Sequence, residues 1–263
     1  MVRLRRLSRR RSSRREEGRF LIDGPVLLSE AMDAGTALEA VYAEPDADAG
    51  LLRRLRAAGV EVVPVASGSL AKVLDLVNPR SIVAVAGQRT VDLASLLSAA
   101  ASTGRPLLAL VGLQDPGNAG TLIRVAEASG CAGVVFTDGS VDAWNPKVVR
   151  ASAGSVLRMA LAEGVQPSEL IASADTHGLP LVSTVAHDGS VPEDAALGAG
   201  FVLLVGSEAQ GVPGEVSAAA SVSVTIPMEG SAESLNAAVA GALVAFEAAR
   251  QRRTESRVAP SDG

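Results

Sequence analysis

The side chains best suited to chemistry are Asn118, Arg124, Glu208, Ser234 and Asn236, and they fall in short polar stretches that each follow an apolar run. The first stretch reads Gly112-Leu113-Gln114-Asp115-Pro116-Gly117-Asn118-Ala119-Gly120 and continues into Thr121-Leu122-Ile123-Arg124. The second reads Gly206-Ser207-Glu208-Ala209-Gln210-Gly211-Val212-Pro213. The third runs Ile226-Pro227-Met228-Glu229-Gly230-Ser231-Ala232-Glu233-Ser234-Leu235-Asn236. Amides, a carboxylate, a hydroxyl and a guanidinium can orient a ligand and bind an anion. Taken singly, Asn118 and Ser234 read as helix caps. Arg124 stands among Leu122, Ile123, Val125 and Ala126, so its charge needs solvent or an anionic partner. Gly206 and Gly211 let backbone approach a ligand closely, and Glu208 offers a carboxylate between them.

Other chemistries lack their residues. The three stretches hold no histidine or cysteine. Neither of the chain's two histidines, His177 and His187, has a plausible second partner, so no Ser-His-Asp set and no metal-ligand set is expected; the one cysteine is Cys131. Cys131, in Ser129-Gly130-Cys131-Ala132, reads as a small packing residue, and the histidines as surface residues. The first loop carries neither the dinucleotide fingerprint Gly-x-Gly-x-x-Gly nor a Walker lysine.

The elements that must position these loops follow from the apolar pattern. At 263 residues, 48% hydrophobic and 20% charged, the chain has material for two compact domains. Over 20–85, strands are expected at 38–42, 60–65 and 81–86 and helices at 25–34, 48–58 and 67–77, an α/β layer. Pro25 suits a first helical turn and Gly59 a helix end. Residues 93–104, Ala/Ser-rich and ending in Gly-Arg-Pro, read as a linker with helical character. Beyond Pro106, continuous apolar strands at 107–111, 134–136, 201–205 and 222–226 alternate with helices. These are expected from 119 to 129, from Asn145-Pro146 towards Gly154, and over 234–253. Such a pattern predicts a parallel sheet covered on both faces, with ligands at the carboxyl ends of its strands. The domains are therefore set at 1–100 and 105–253, with 254–263 a flexible tail.

Charge is distributed unevenly. Residues 1–19 hold nine arginines against Glu16 and Glu17, a net +7, so the rest of a chain of net −5 carries −12. This asymmetry points to an anionic partner met by one end of the molecule, with a solvated, partly helical tail as the plainer alternative. No apolar run has the length of a membrane span, and none follows the Arg-rich start as a secretory signal would require. A cytoplasmic α/β protein without membrane or metal is expected.

Taken in order, Asp-x-Pro-x-Asn-x-Gly-x-x-x-Arg, Gly-Ser-Glu-x-x-Gly and Ile-Pro-Met-x-Gly-x-x-x-Ser-Leu-Asn resemble the SpoU (TrmH-type) RNA 2′-O-ribose methyltransferases over 106–250. The stretch Arg14-Arg15-Glu16-Glu17-Gly18-Arg19-Phe20-Leu21-Ile22-Asp23-Gly24 is similar to the substrate-binding domain of the ribosomal RNA members, an L30e-like α/β fold. The resemblance implies a trefoil-knotted parallel-sheet methyltransferase domain, a homodimer with its active site near the subunit interface, and S-adenosylmethionine as cofactor. By motif matching, Leu204, Gly206, Ile226, Met228 and Leu235 would hold the cofactor. The family arginine proposed as base falls at Arg124. A guanidinium normally keeps its proton, so the preferred role is binding the neighbouring phosphate and lowering the pKa of the ribose hydroxyl. Asn118 would orient Arg124 or the ribose, Glu208 would position its neighbours, and Ser234 and Asn236 would complete the pocket.

RNA contact is expected from Arg9, Arg10, Arg14 and Arg15 together with Lys147 and Arg150 on the helix after Asn145-Pro146. Aromatic residues make up 2% and Trp144 is the sole tryptophan, so phosphate charge and RNA shape should dominate over base stacking. The sequence departs from many relatives at Ala237-Ala238, where they carry Val-Ser, and the stretch ahead of the first domain is short for the family's RNA-binding extension. The expected reaction is 2′-O-methylation of large-subunit (23S) rRNA. A tRNA ribose methyltransferase is the alternative within the class, disfavoured by the extra N-terminal domain. A non-catalytic RNA-binding protein is the alternative outside it, disfavoured by the intact polar set.

Overall fold

The computed structural model describes residues 1–74, 80–207 and 209–258, the side chains of 256–258 excepted. The chain runs through α1 (Val2–Arg9), α2 (Arg11–Glu17), β1 (Arg19–Asp23), α3 (Pro25–Asp33), β2 (Leu38–Ala43), α4 (Ala49–Ala57), β3 (Glu61–Pro64), α5 (Ser69–Leu74) and β4 (Ile82–Gly87). It continues with α6 (Leu93–Thr103), β5 (Leu107–Leu110), α7 (Pro116–Ser129), β6 (Gly133–Thr137), α8 (Pro146–Ala151), β7 (Leu161–Val165), α9 (Pro167–Thr176), β8 (Leu181–Thr184), β9 (Val202–Val205), α10 (Gly214–Ala218), β10 (Val222–Val224) and α11 (Ala237–Val258). Two compact units result: Met1–Arg89 with Asp142–Arg158, and Thr90–Val141 with the chain from Met159 on.

The first unit carries a four-stranded sheet in the order β1-β4-β2-β3, with β4 antiparallel to both β1 and β2 and β3 parallel to β2. The Arg-rich start is no loose tail. Leu4 and Leu7, three residues apart on α1, lie fully buried with Leu21, Leu70, Val73, Leu74, Val83 and Val85. That spacing gives α1 one apolar stripe and leaves its arginines for the other faces. Strand β1 escapes the alternation pattern because Phe20, Leu21 and Ile22 are all buried.

The unit also takes in 142–158, which the sequence assigns to the catalytic domain. Phe20 and Trp144 pack with ring centroids 4.6 Å apart, and the buried Arg14 and Asp142 form an ion pair at 2.5 Å. These partners are more than 120 residues apart in sequence, so no local pattern announces them. The part of the 67–77 helix beyond Leu74 lies outside the described residues, as do Glu208 and the 259–263 part of the expected tail.

The second unit is a six-stranded parallel sheet in the order β10-β8-β9-β5-β6-β7. Every residue of β5, β6 and β9 is buried, as continuous apolar strands require when both sheet faces are covered. On one face Leu93, Leu96, Leu97 and Ala100 of α6 join Leu170 and Ala174 of α9 and Val216 of α10. Residues 93–104 are therefore a core helix rather than a linker. On the other face α7 and α11 pack together; a Cβ added at Gly241 of α11 would lie 2.8 Å from Leu122 of α7 and 3.1 Å from Val205 of β9. Helix α11 reaches Val258, past the expected end at 253.

Candidate active site

Because all six strands run the same way, the loops that follow them emerge at one edge of the sheet, where open α/β sheets bind ligands. The three polar stretches follow β5, β9 and β10. A cleft of about 400 Å³ opens at the ends of β8, β9 and β10. Its apolar wall includes Val205, Val212, Ile226, Met228 and Leu235, and its neutral polar wall Thr184, Ser207, Gln210 and Ser234. Gly206, Ile226, Met228 and Leu235, the expected cofactor residues, line it together. Leu204 does not. Its side chain is fully buried in β9, and its carbonyl accepts a hydrogen bond from Thr184 Oγ1 at 3.1 Å.

The loop after β9 closes on itself. Ser207 N–H donates to the Gly211 carbonyl at 3.1 Å, and Gly211 N–H donates to the Ser207 carbonyl at 2.8 Å. A Cβ at Gly206 would sit 1.9 Å from the Gly211 carbonyl carbon and 2.1 Å from Val212 N. Only glycine permits that approach, and Gly211 adopts the left-handed φ of 64° that completes the turn. Glu208, inside this loop, lies outside the described residues.

Asn118 is not the cap of α7. Asp115 takes that place, accepting from Asn118 N–H at 2.7 Å, with Pro116 in the first turn. The Asn118 side chain is thereby released for another role, and its Oδ1 accepts from Asn236 Nδ2 at 2.9 Å. Nor does Ser234 cap the last helix. Asn236 does, its Oδ1 accepting from Ala238 N–H at 2.9 Å and Val239 N–H at 3.2 Å. The structure thus joins Asn118 to Asn236, whose chain neighbours Leu235 and Ala237 line the cleft alongside Ser234. Arg124 lies on the exposed side of α7, outside the cleft lining, and makes no ion pair among the described residues.

The expected RNA-binding side chains separate into two kinds. Arg14 is 3% exposed, paired with Asp142 and donating to the Leu7 carbonyl at 2.7 Å, so it cannot reach an RNA phosphate and is removed from that set. Arg9, Arg10, Arg15 and Lys147 are exposed. Arg150 is also exposed but donates to Asp23 at 2.9 Å. Burial pushes the Asp23 carboxyl above its ordinary value, and Arg150 opposes that shift. Trp144 is buried and offers no stacking surface.

Burial likewise raises the Cys131 thiol, which suits a packing residue rather than a nucleophile. His177 Nδ1 lies 2.8 Å from the Ser173 carbonyl at the end of α9, and His187 is exposed. Among the described residues no group of three His, Cys, Asp or Glu side chains could hold a metal ion, and no helix is long and apolar enough to cross a membrane.

Sequence reasoning missed Thr184, Val185 and Ala186 in the cleft, because β8 lies in a stretch without a motif. Gln210 and Glu233 also line it; both sit inside quoted motif stretches, so adjacency to Gly211 and Ser234 was an available signal.

Residues 105–246 match the SpoU rRNA Methylase family, and residues 2–84 match the MRM3-like substrate binding domain. An uncharacterised tRNA/rRNA methyltransferase of Synechocystis is 32% identical, over 91% of this chain and 86% of its own. The 23S rRNA (guanosine-2′-O)-methyltransferase RlmP of Bacillus subtilis is 28% identical, over 90% of each chain. The solved structure of the SpoU methyltransferase AviRb from Streptomyces viridochromogenes, in complex with its cofactor AdoMet, aligns with a TM-score of 0.86 at 26% identity, over 96% of this chain and 97% of that one. The chain belongs to the SpoU rRNA methylase family and pairs its methylase domain with an N-terminal substrate-binding domain.

Proposed function

We propose that the protein transfers a methyl group from S-adenosylmethionine to a ribose 2′-hydroxyl of large-subunit ribosomal RNA. The observation that carries this reading is the cleft at the ends of β8, β9 and β10, with the Asn118–Asn236 pair beside it. The cleft suits the cofactor: Ile226, Met228 and Leu235 offer half-open apolar surface for an adenine ring, and the loop closed at Gly206 presents backbone groups at short range. S-adenosylmethionine supplies a methyl group already activated by a positively charged sulfur. The chain must therefore hold the acceptor in line and help remove one proton.

In this reading Asn236 and Asn118 fix the starts of α11 and α7 against each other, and Ser234 completes the pocket. Arg124 projects from α7 to bind the phosphate beside the reacting ribose, lowering the hydroxyl's pKa while phosphate or water accepts the proton. Glu208 positions neighbouring groups of the site. The exposed Arg10, Arg15 and Lys147, with Arg9 and Arg150, contact phosphates of the RNA. Tritiated methyl transfer to RNA fractions, followed by mapping of 2′-O-methyl sites, tests the proposal. Label in large-subunit rRNA supports it; label confined to tRNA replaces the substrate.

The knot and the homodimer belong to the same proposal. Chain that leaves the edge strand β10 returns in α11 to pack on α7 and β9, the path a threaded helix would take. Val239, Leu243 and Phe246 lie on one face of α11 and are each 46–47% exposed, an apolar stripe suited to a second copy. Phe246→Glu should shift the mass measured by light scattering from dimer to monomer. A cytoplasmic location is part of the same proposal.

A further inference from the structure

We infer that Glu233 makes the cofactor cleft selective for charge, favouring the sulfonium of S-adenosylmethionine over the neutral thioether of S-adenosylhomocysteine. The inference rests on the reading of the cleft as the S-adenosylmethionine site. Among the described residues lining the cleft, Glu233 alone carries an ionisable side chain; the others are apolar, glycine or neutral polar. No lysine, arginine or histidine among them stands in that wall to neutralise it. Glu233 has no ion pair or hydrogen bond to another described residue. It immediately precedes Ser234 and Leu235, which line the same cleft, so its position is set by the loop that forms the wall.

Substrate and product share the adenosine, the ammonium and the carboxylate. They differ by one methyl group and one positive charge on sulfur. An apolar wall of Ile226, Met228 and Leu235 responds to the extra methyl group by area, about four-fold in affinity if fully buried, and that contribution is the same with or without Glu233. Backbone carbonyls around Gly206 also attract a cation, and that contribution persists when Glu233 is substituted. A carboxylate at the rim adds a distinction that its substitution removes, because its attraction for the sulfonium acts on the first ligand only. The consequence is kinetic as well as thermodynamic: once the methyl has left, the charge that Glu233 attracts has gone and the product is released more readily.

Glu233 is solvent-exposed, so screening limits the effect. At contact distance in a largely aqueous setting the attraction corresponds to about five-fold in affinity.

Isothermal titration of the full-length wild type, Glu233→Gln and Glu233→Asp with S-adenosylmethionine, S-adenosylhomocysteine and sinefungin tests this. Sinefungin carries an ammonium near the position of the sulfonium. Glu233→Gln should weaken S-adenosylmethionine and sinefungin about five-fold while changing S-adenosylhomocysteine by less than about two-fold. Glu233→Asp should retain most of the preference, and added salt should narrow the wild-type preference towards that of Glu233→Gln. Equal weakening of all three ligands would make Glu233 a structural residue and overturn the inference. So would an unchanged ratio in Glu233→Gln, or loss of selectivity in Glu208→Gln alone. Failure of the wild type to bind any of the ligands would instead overturn the reading of the cleft itself.

Discussion

Asn236 uses one amide to hold two helices: its Oδ1 caps the start of α11 while its Nδ2 donates to Asn118 Oδ1, 2.9 Å away in the first turn of α7. Polar residues from the first and third motifs, 118 positions apart, thus meet beside the cleft at the ends of β8, β9 and β10. Asn236→Ala removes both functions. Loss of the cap costs about 1 kcal/mol, a fall in melting temperature of about 2–4 °C for a protein of this size. Methyl transfer should fall further than stability does. Asn236→Asp keeps an acceptor for the cap but loses the donor to Asn118, so it should melt near the wild type yet remain impaired in turnover. Wild-type turnover in Asn236→Asp would show that the Asn118 contact contributes nothing to turnover.

Gly206 tests the closed loop after β9. A methyl group there meets backbone rather than a flexible side-chain end, so the loop itself must open. Overpacking of about 1–3 kcal/mol would appear as a loss of S-adenosylmethionine affinity of about 5- to 150-fold. Circular dichroism should remain that of the folded chain.

The Arg14–Asp142 pair is buried on both sides, at 3% and 8% side-chain exposure. Removing one partner strands the other charge, so Arg14→Ala and Asp142→Ala should each cost about 3–5 kcal/mol in chemical denaturation. Arg14→Ala combined with Asp142→Ala should cost clearly less than the two single losses together. Strict additivity would mean that the charges do not interact.

Glu39 predicts a pH effect. Hydrogen bonds from Arg3 and Arg19 hold its carboxyl at about 2, below the ordinary 4.5. A carboxyl whose pKa falls on folding contributes stability in full above the unfolded value. That contribution is lost as pH drops from about 4.5 towards 2. Wild type should therefore have a higher urea midpoint than Glu39→Gln at about pH 7, and the gap should shrink from about pH 4.5 downward and close only below about pH 2. A constant gap across that window would remove Glu39 from the acid transition.

Deleting the Arg-rich start is a poor test of RNA binding, because Leu4, Leu7 and Arg14 belong to the interior of the first unit. Exchanging Arg10, Arg15 and Lys147 for glutamine removes charge and leaves that core intact. RNA affinity should fall, and the dependence of log K on log salt should flatten by about 0.7–0.9 for each phosphate that is no longer neutralised. An unchanged slope would exclude these side chains from phosphate binding.

Much of the catalytic unit was legible in the linear sequence. Continuous apolar runs at β5, β6 and β9 announced a sheet buried on both faces, and parallel strands send the loops that follow them to one edge. That rule is enough to bring the stretches containing Asn118, Gly206 and Ile226 to the same end of the sheet. The polar strand-end stretches hold no histidine or cysteine, which is why neither a Ser-His-Asp set nor a metal-ligand set is expected there.

Tertiary structure decided what depends on partners distant in the chain. An arginine among arginines looks like a solvated or RNA-facing charge, yet Arg14 is buried because Asp142, 128 residues later, balances it. Trp144 draws α8 into the first unit through Phe20, and Thr184 enters the cleft only because β8 lies between β9 and β10. Ser234 and Asn236 are equally good caps by type, and the backbone path into α11 selects Asn236. Periodicity reports which face of an element is apolar. Pairing across the fold decides which polar side chain is buried, which helix start it satisfies and which is left to meet a ligand.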